Sequence, residues 1–473
     1  MDVMHVDICV IGAGSGGLSV AAGASQMGAK VALIEKAEMG GDCLNTGCVP
    51  SKALLAAAHV AHTARESGQF GIQTTEPLVD WQDVHRHVHE VIASIAPNDS
   101  QERFEGLGVT VIRAAASFID EQTVQAGDQL IRAKYFVLAT GSSAFVPPIE
   151  GLDEVAYFTN ENIFDNREPV KHLIVIGGGP IGIELAQAHR RLGAKVTVME
   201  MARLLMKDDP ELTKIVIGYL QQEGVSFHEG GRDLRLEKTA DGNIAAFCQT
   251  DEGAQCATGS HLLIATGRRA NVHGLNLEAA GISYSPRGVD VDAHLRTSNS
   301  KVFAIGDVTG PYQFTHMAAY QAGIVIRNML FKLPAKVDYS AVPWVTYTDP
   351  ELAHVGLSEA DAIKAGQKIR VLRWRFAEND RAQAEKRTEG LIKVVTTPKG
   401  RILGASIVGL HAGELIQPWI LAISQKMKIG AMASMIAPYP TLSEANKRIA
   451  GSFYTDKLFS SKMRWLVRIL LKI

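Results

Sequence analysis

Val6-Asp7-Ile8-Cys9-Val10-Ile11 runs directly into Gly12-Ala13-Gly14-Ser15-Gly16-Gly17, and this stretch decides the fold. The mostly apolar run has the length of a short buried strand. Gly12, Gly14 and Gly17 then occupy the fixed positions of a G-x-G-x-x-G pattern. A helical run follows to about Met27, and a second strand, Val31 to Ile34, ends at Glu35. This strand-turn-helix-strand context is the one in which the pattern binds a dinucleotide. The glycines make a tight turn and admit a pyrophosphate to a helix N-terminus, where unpaired N–H groups favour negative charge. Glu35 is placed to accept from a ribose hydroxyl.

The arrangement returns at Leu173 to Ile176, Gly177-Gly178-Gly179-Pro180-Ile181-Gly182, Val196 to Met199 and Glu200. Gly177, Gly179, Gly182 and Glu200 follow Gly12, Gly14, Gly17 and Glu35 at one constant offset of 165 residues. Two dinucleotides are implied. Glu200 favours NADH over NADPH, because a carboxylate at the ribose repels a 2′-phosphate; Arg203, close by in sequence, weakens that preference.

Two further strand-like runs end in glycine turns: Phe136 to Leu138 with Ala139-Thr140-Gly141, and Leu262 to Ile264 with Ala265-Thr266-Gly267. Each could close a nucleotide-binding unit and return the chain to its neighbour. Val302-Phe303-Ala304-Ile305-Gly306-Asp307 again sets a carboxylate at the end of a buried strand, where Asp307 could bind a polyol.

Cys43 and Cys48 lie in Gly40-Gly41-Asp42-Cys43-Leu44-Asn45-Thr46-Gly47-Cys48-Val49-Pro50-Ser51-Lys52. Zinc needs four ligands, and no second pair of Cys or His follows at ligand spacing, so no metal centre is expected. Gly40, Gly41 and Gly47 suit a backbone that approaches a cofactor closely. A thiol pair beside a dinucleotide site points to electron transfer. Lys52, one helical turn beyond Cys48, can supply the positive field that lowers a thiol pKa.

At 473 residues the chain has room for about three domains. A formal charge of −2 and 21% charged residues lack the basic excess of a nucleic-acid-binding protein. The first apolar run leads into the glycine turn and so reads as a strand instead of a secretion signal. Cys9, Cys248 and Cys256 bring the cysteines to an odd five without a disulfide-framework spacing, and a reducing cytoplasm is expected. No apolar stretch reaches the roughly 20 residues that span a bilayer.

With these motifs in place, the chain resembles the class I pyridine nucleotide-disulfide oxidoreductases, the flavoprotein family that includes dihydrolipoamide dehydrogenase, glutathione reductase and mercuric reductase. The resemblance covers nearly the whole chain. It implies an α/β fold of two Rossmann-like dinucleotide-binding domains and a C-terminal α+β dimerisation domain. FAD would occupy residues 1–150 and 272–341, with Asp307 among its contacts; NAD(P)H would occupy 151–271; a homodimer would form through 342–450. The resemblance further implies that Cys48 is the thiol against the flavin, that Cys43 is the interchange thiol facing substrate, and that Lys52 pairs with Glu184 beside the nicotinamide.

The chain departs from the family pattern near its end, in Pro438-Tyr439-Pro440-Thr441-Leu442-Ser443-Glu444. Tyr439 stands where dihydrolipoamide dehydrogenase and glutathione reductase carry a proton-shuttling histidine, while Glu444, which orients that histidine, remains. A tyrosine of ordinary pKa is a poor base near neutrality. Mercuric reductase also has tyrosine there, but uses a further C-terminal cysteine pair, and no cysteine follows Cys256. His411, in a turn before a helix, reads as a helix-capping or surface residue. Residues 451–473 form a tail whose Arg464, Arg468 and Lys472 share one helical stripe, and whose Met463, Leu466, Val467, Leu470 and Ile473 share another. Such a helix can pack on the dimer or lie on an anionic membrane surface, peripheral to the inner membrane.

The expected activity is oxidation of NAD(P)H with electrons leaving through Cys43 and Cys48 to a disulfide, soft-metal or quinone-type acceptor. The alternatives are a dihydrolipoamide dehydrogenase and, in another class, a membrane-docked redox sensor or assembly partner.

Overall fold

A computed structural model describes residues 3–473. The chain packs as two units, Met1–Met201 with Phe227–Val337, and Ala202–Ser226 with Asp338–Ile473.

The first unit is built on the strand Val3–Ile11. It pairs in parallel with Val31–Ile34 on one side and with Gln129–Leu138 on the other. Val109–Ile112 extends the sheet beyond Val31–Ile34, and Val302–Ala304 adds in parallel to the C-terminal half of Gln129–Leu138. Because strand side chains alternate, Ile8 and Val10 enter a core with Leu18, Val20 and Ala21 of the helix Ser15–Gln26. Cys9 and Ile11 face the opposite core with Phe136, Leu138 and Phe118. Both faces are covered, which explains why the strand reads as a nearly continuous apolar run. An antiparallel meander of Ala116–Asp120 and Thr123–Ala126 pairs with the N-terminal half of Gln129–Leu138.

The second fingerprint sits on the same scaffold. His172–Ile176 pairs in parallel with Lys195–Met199 and with His261–Ile264. The helix Pro180–Arg191 follows the turn. An antiparallel meander of Arg232–Lys238, Ile244–Thr250 and Gly253–Gly259 packs Leu236, Ile244 and Ala246 against Ile174 and Ile176.

The second unit has a five-stranded sheet in the order Pro343–Thr346, Glu351–Gly356, Ile402–Gly409, Leu391–Thr396 and Arg370–Arg375, antiparallel throughout. Helices Gln417–Ser424 and Glu444–Ser452 contribute Trp419, Ala422, Ala445 and Ile449 to its core. Lys393, only 5% exposed, ties the 202–226 segment to the sheet by an ion pair of 2.7 Å with Asp209. Two further carboxylates, Glu211 at 3.1 Å and Glu359 at 2.7 Å, surround the same ammonium and offset its desolvation. Peptide bonds Asp349-Pro350 and Tyr439-Pro440 are cis.

Candidate functional site

The two fingerprints share a backbone conformation as well as a spacing. Gly12 has φ 105° and Gly177 has φ 114°, and a Cβ on either would meet the carbonyl of Ala139 at 2.4 Å or of Ala265 at 2.3 Å. A Cβ on Gly17 or Gly182 would lie 1.8 Å or 2.1 Å from the carbonyl oxygen of the unit's first glycine. These glycines are required by close approach of the turn to its own backbone. Gly14 and Gly179 differ: a Cβ on Gly179 would find nothing within 4 Å, and one on Gly14 only the Cα of Gly41 at 4.0 Å.

The helices that follow are also left open. Asp80, Ser100, Asp209, Ser358, Asn379 and Ser460 each cap a helix elsewhere in the chain by accepting from backbone amides. Helices Ser15–Gln26 and Pro180–Arg191 have neither a side-chain cap nor an acidic residue in the first turn. Their first amides stand at the turn with no side-chain partner, which is the donor arrangement a diphosphate requires. These residues fit a dinucleotide at each turn.

Glu35 accepts from Ala13 N at 2.6 Å through one carboxylate oxygen and from Ala37 N at 2.7 Å through the other. Glu200 accepts from Gly178 N at 2.6 Å. Each carboxylate therefore clamps the end of the second strand to the glycine turn, again at an offset of 165 residues. The sequence offered only a ribose acceptor at these positions; the structure adds the clamp to the turn. Arg203, in the second unit, donates to the carbonyls of Met206 at 2.6 Å and Asp208 at 2.9 Å.

Thr140 and Asn271 exchange hydrogen bonds, Thr140 Oγ1 to the Asn271 carbonyl at 2.8 Å and Asn271 Nδ2 to the Thr140 carbonyl at 2.9 Å. The carbonyl of Gly141 accepts from Asn271 N at 3.0 Å, and that of Gly267 accepts from Phe145 N at 2.9 Å. Ser142–Ala144 and Arg268–Ala270 then pair antiparallel, joining the segments that follow the two glycine turns. Asp307 accepts from Ser142 Oγ at 2.6 Å, and Arg268 lies 4.0 Å from the same carboxylate oxygen. Burial pushes the Asp307 carboxyl up, against the opposing pull of Ser142 and Arg268. Arg268 also reaches Asp42, at 3.3 Å, beside the first cysteine.

Cys43 lies in the short helix Gly41–Asn45, and Cys48 opens the helix Cys48–Glu66. Both are present as thiols, Cys43 half-buried and Cys48 exposed. Cys48 is pulled down to about 6, first by a hydrogen bond from Cys43, then by Thr315 and by the charge of Lys52, with burial opposing. Cys43 moves the other way, because it holds the proton that Cys48 shares and is itself partly desolvated. Thr315 Oγ1 lies 3.3 Å from Cys48 Sγ. It is the first residue of the helix Thr315–Leu330. Lys52 Nζ donates to Glu184 Oε2 at 2.8 Å; Glu184 is buried on the helix Pro180–Arg191. The first unit thus brings Cys43, Cys48, Lys52 and Glu184 together. Thr315 and Ser15, a hydrogen-bonding neighbour of Cys43, were not legible beforehand.

Residues 6–322 match the family described as Pyridine nucleotide-disulphide oxidoreductase, and residues 342–450 match its dimerisation domain. The chain belongs to the pyridine nucleotide-disulphide oxidoreductases. It is 34% identical to a mercuric reductase of Streptomyces lividans over 458 residues, covering 95% of this chain and 96% of that one. It is 30% identical to a dihydrolipoyl dehydrogenase of Bacillus subtilis (strain 168) over 445 residues, covering 92% and 96% of the two chains. Among solved structures, a Cu(II) complex of the HOCl-induced flavoprotein disulfide reductase RclA from Escherichia coli superposes with a TM-score of 0.84 at 26% identity, covering 96% of this chain and 100% of that one. Like the family, this pyridine nucleotide-disulphide oxidoreductase is an NAD(P)H-dependent flavoprotein enzyme that uses FAD, and its dimerisation domain indicates a homodimer.

In this oxidoreductase Tyr439 and Glu444 belong to the second unit. Tyr439 is exposed, and its hydroxyl donates to Asp380 Oδ2 at 3.1 Å. That bond holds the phenol above its ordinary range, and the negative charge of Asp380 adds to it. Glu444 accepts from Arg448 Nε at 3.0 Å one helical turn on. His411 is exposed at the position before the helix Ala412–Leu415, with φ 56° and no capping bond from its side chain, so of the two readings it is the surface residue. Among the described residues no group of three or more His, Cys, Asp or Glu is arranged to hold a metal, and no helix is long and apolar enough to cross a membrane.

Proposed function

We propose that this enzyme reduces soft, thiol-binding metal ions with electrons from NADH, through Cys48 and Cys43. Tyr439 carries the reading: a phenol held above its ordinary range by Asp380 is no base for the proton exchange that a disulfide or dithiol substrate demands near pH 7, where such a group contributes roughly 10²–10⁴-fold. A metal held by thiolates makes no such demand. The mercuric reductase relatives and the copper-bound structural relative support the same acceptor class.

In this reading residues 1–150 with 272–341 hold FAD through Gly12, Gly14, Gly17, Glu35, Thr140, Gly141 and Asp307. Residues 151–271 hold the nicotinamide nucleotide through Gly177, Gly179, Gly182, Glu200 and Gly267, with NADH preferred. When bound, FAD supplies the two-electron link between the nicotinamide and the cysteine pair. Reduction of a Cys43–Cys48 disulfide by two electrons and one proton leaves a Cys48 thiolate and a Cys43 thiol. Cys43 takes the acceptor, Lys52 holds the thiolate's charge, and Glu184 fixes the ammonium in place. The overall reaction converts NADH and Hg(II) to NAD⁺, a proton and the metal, or NADH and two Cu(II) to NAD⁺, a proton and two Cu(I).

The second reading, dihydrolipoamide dehydrogenase, is favoured by the Bacillus subtilis relative and by Glu444. Anaerobic NADH oxidation with Hg(II), Cu(II), disulfides and quinones separates the two. We expect metal-dependent turnover that Cys43→Ala abolishes, and weak dihydrolipoamide oxidation that Tyr439→His raises. Metal turnover retained in Cys43→Ala, or brisk dihydrolipoamide oxidation by the wild type, overturns the proposal.

A further inference from the structure

The last helix, Ser461–Leu470, is capped by Ser460, whose hydroxyl accepts from Met463 N at 3.3 Å. Unlike Glu444–Ser452, which buries Ala445, Asn446, Ile449 and Ala450, it buries no residue at all. Trp465 is 64% exposed and Leu470 58%. Met463, Leu466, Val467 and Leu470 fall on one face, and Arg464, Arg468 and Lys472 on the other at intervals of four. Trp465 lies at the boundary between the two faces. No acidic residue occurs after Asp456.

Like charges four residues apart destabilise an isolated helix, so this stripe is at odds with its own helix until a negative surface meets it. The stem is fastened. Arg370 donates to the Phe453 carbonyl at 2.8 Å, pairs with Asp456 at 2.8 Å, and stacks its guanidinium over the Phe453 ring at 4.8 Å. Beyond the stem the helix extends past residue 450, where the match to the dimerisation domain ends, which argues against a second copy as its cover.

We propose that the helix Ser461–Leu470, with Leu471, Lys472 and Ile473, is an anchor for an anionic phospholipid surface. At ten residues it is about 15 Å long, half the hydrocarbon thickness, and must lie in the plane of the interface. Leu466, Val467 and Leu470 enter the acyl region, Trp465 sits at headgroup depth, and Arg464, Arg468 and Lys472 meet the phosphates.

Co-sedimentation of the full-length holoenzyme with phosphatidylcholine vesicles, with and without phosphatidylglycerol, tests this without any electron acceptor, so its outcome is independent of the proposed activity. We expect pelleting that requires phosphatidylglycerol. Each of Arg464→Gln, Arg468→Gln and Lys472→Gln should weaken it about fivefold, and Leu466→Asp should abolish it. The chain ending at Ser460 should stay in the supernatant with its dimer mass and flavin content intact. Equal pelleting of the shortened chain, equal binding to both vesicle types, or loss of the dimer on shortening overturns the proposal.

Discussion

Replacing Thr315 by valine keeps the shape of the side chain but removes the hydroxyl 3.3 Å from Cys48 Sγ. A hydrogen bond to a charged group is worth about 1.5–3 kcal/mol, and about 1.4 kcal/mol corresponds to one pKa unit. Because Cys48 is exposed, water replaces part of the lost bond, and the expected rise is about one unit, from about 6 to about 7. At pH 7 the thiolate fraction then falls from roughly nine-tenths to roughly half. The assay is the pH dependence of Cys48 alkylation by iodoacetamide in the reduced holoenzyme, with the labelled peptide quantified by mass spectrometry. Reactivity should rise with pH through about 6 in the wild type and about one unit later in Thr315→Val. Thr315→Ser, which keeps a donor, should resemble the wild type, and Cys43→Ala should shift the curve furthest, since Cys43 is the largest cause. A Thr315→Val profile within about half a unit of the wild type would refute the reasoning.

Gly17→Ala and Gly182→Ala place a methyl 1.8 Å and 2.1 Å from a backbone carbonyl oxygen, so each should disable its own nucleotide site: the first should purify with little flavin absorbance, and the second should keep its flavin but lose NADH affinity in a titration. Normal binding of both nucleotides by both variants would contradict the assignment of the turns. His189 is buried, stacked on Trp81 at 5.7 Å, and burial pushes it down to about 4. The unfolded chain therefore takes up a proton before the folded one does, and stability present above the ordinary histidine range is lost as pH falls toward about 4. His189→Phe should lessen the difference in denaturant stability between pH 7 and pH 5 by about 2 kcal/mol; an unchanged difference would count against a neutral buried imidazole.

Local steric demands were legible in the sequence, and long-range placements were not. The two βαβ units could be read because Gly12, Gly17, Gly177 and Gly182 are imposed by contacts within six residues or with the adjoining strand end, and because Ile8 to Ile11 must fill two cores. The strand before Gly12 begins at Val3, earlier than its apolar run suggests, because its partner Gln129–Leu138 extends the pairing to Val3. Thr315 lies 267 residues from Cys48, and no periodicity links them; only the fold brings a helix start to that sulfur. The pairing of Lys52 with Glu184 spans 132 residues and came from family likeness. Arg268 directly follows the Ala265-Thr266-Gly267 turn, but its position between Asp42 and Asp307 depends on the crossing strands. The tail helix was legible because 3.6-residue periodicity is a local property.

The two turns offer an internal experiment that the chain has already performed. Where the copies agree, at the three glycines and the clamping carboxylate, they record what any pyrophosphate-ready turn demands. Where they differ, they record separate employment. Position 19 in the first copy is a serine that folds back onto the Ser15 carbonyl at 2.7 Å; its counterpart 165 residues later is Glu184, reaching out to Lys52. The same helical position carries a short hydroxyl in the first copy and a long acidic arm in the second, and that arm joins the helix of the second glycine turn to the helix that carries Cys48.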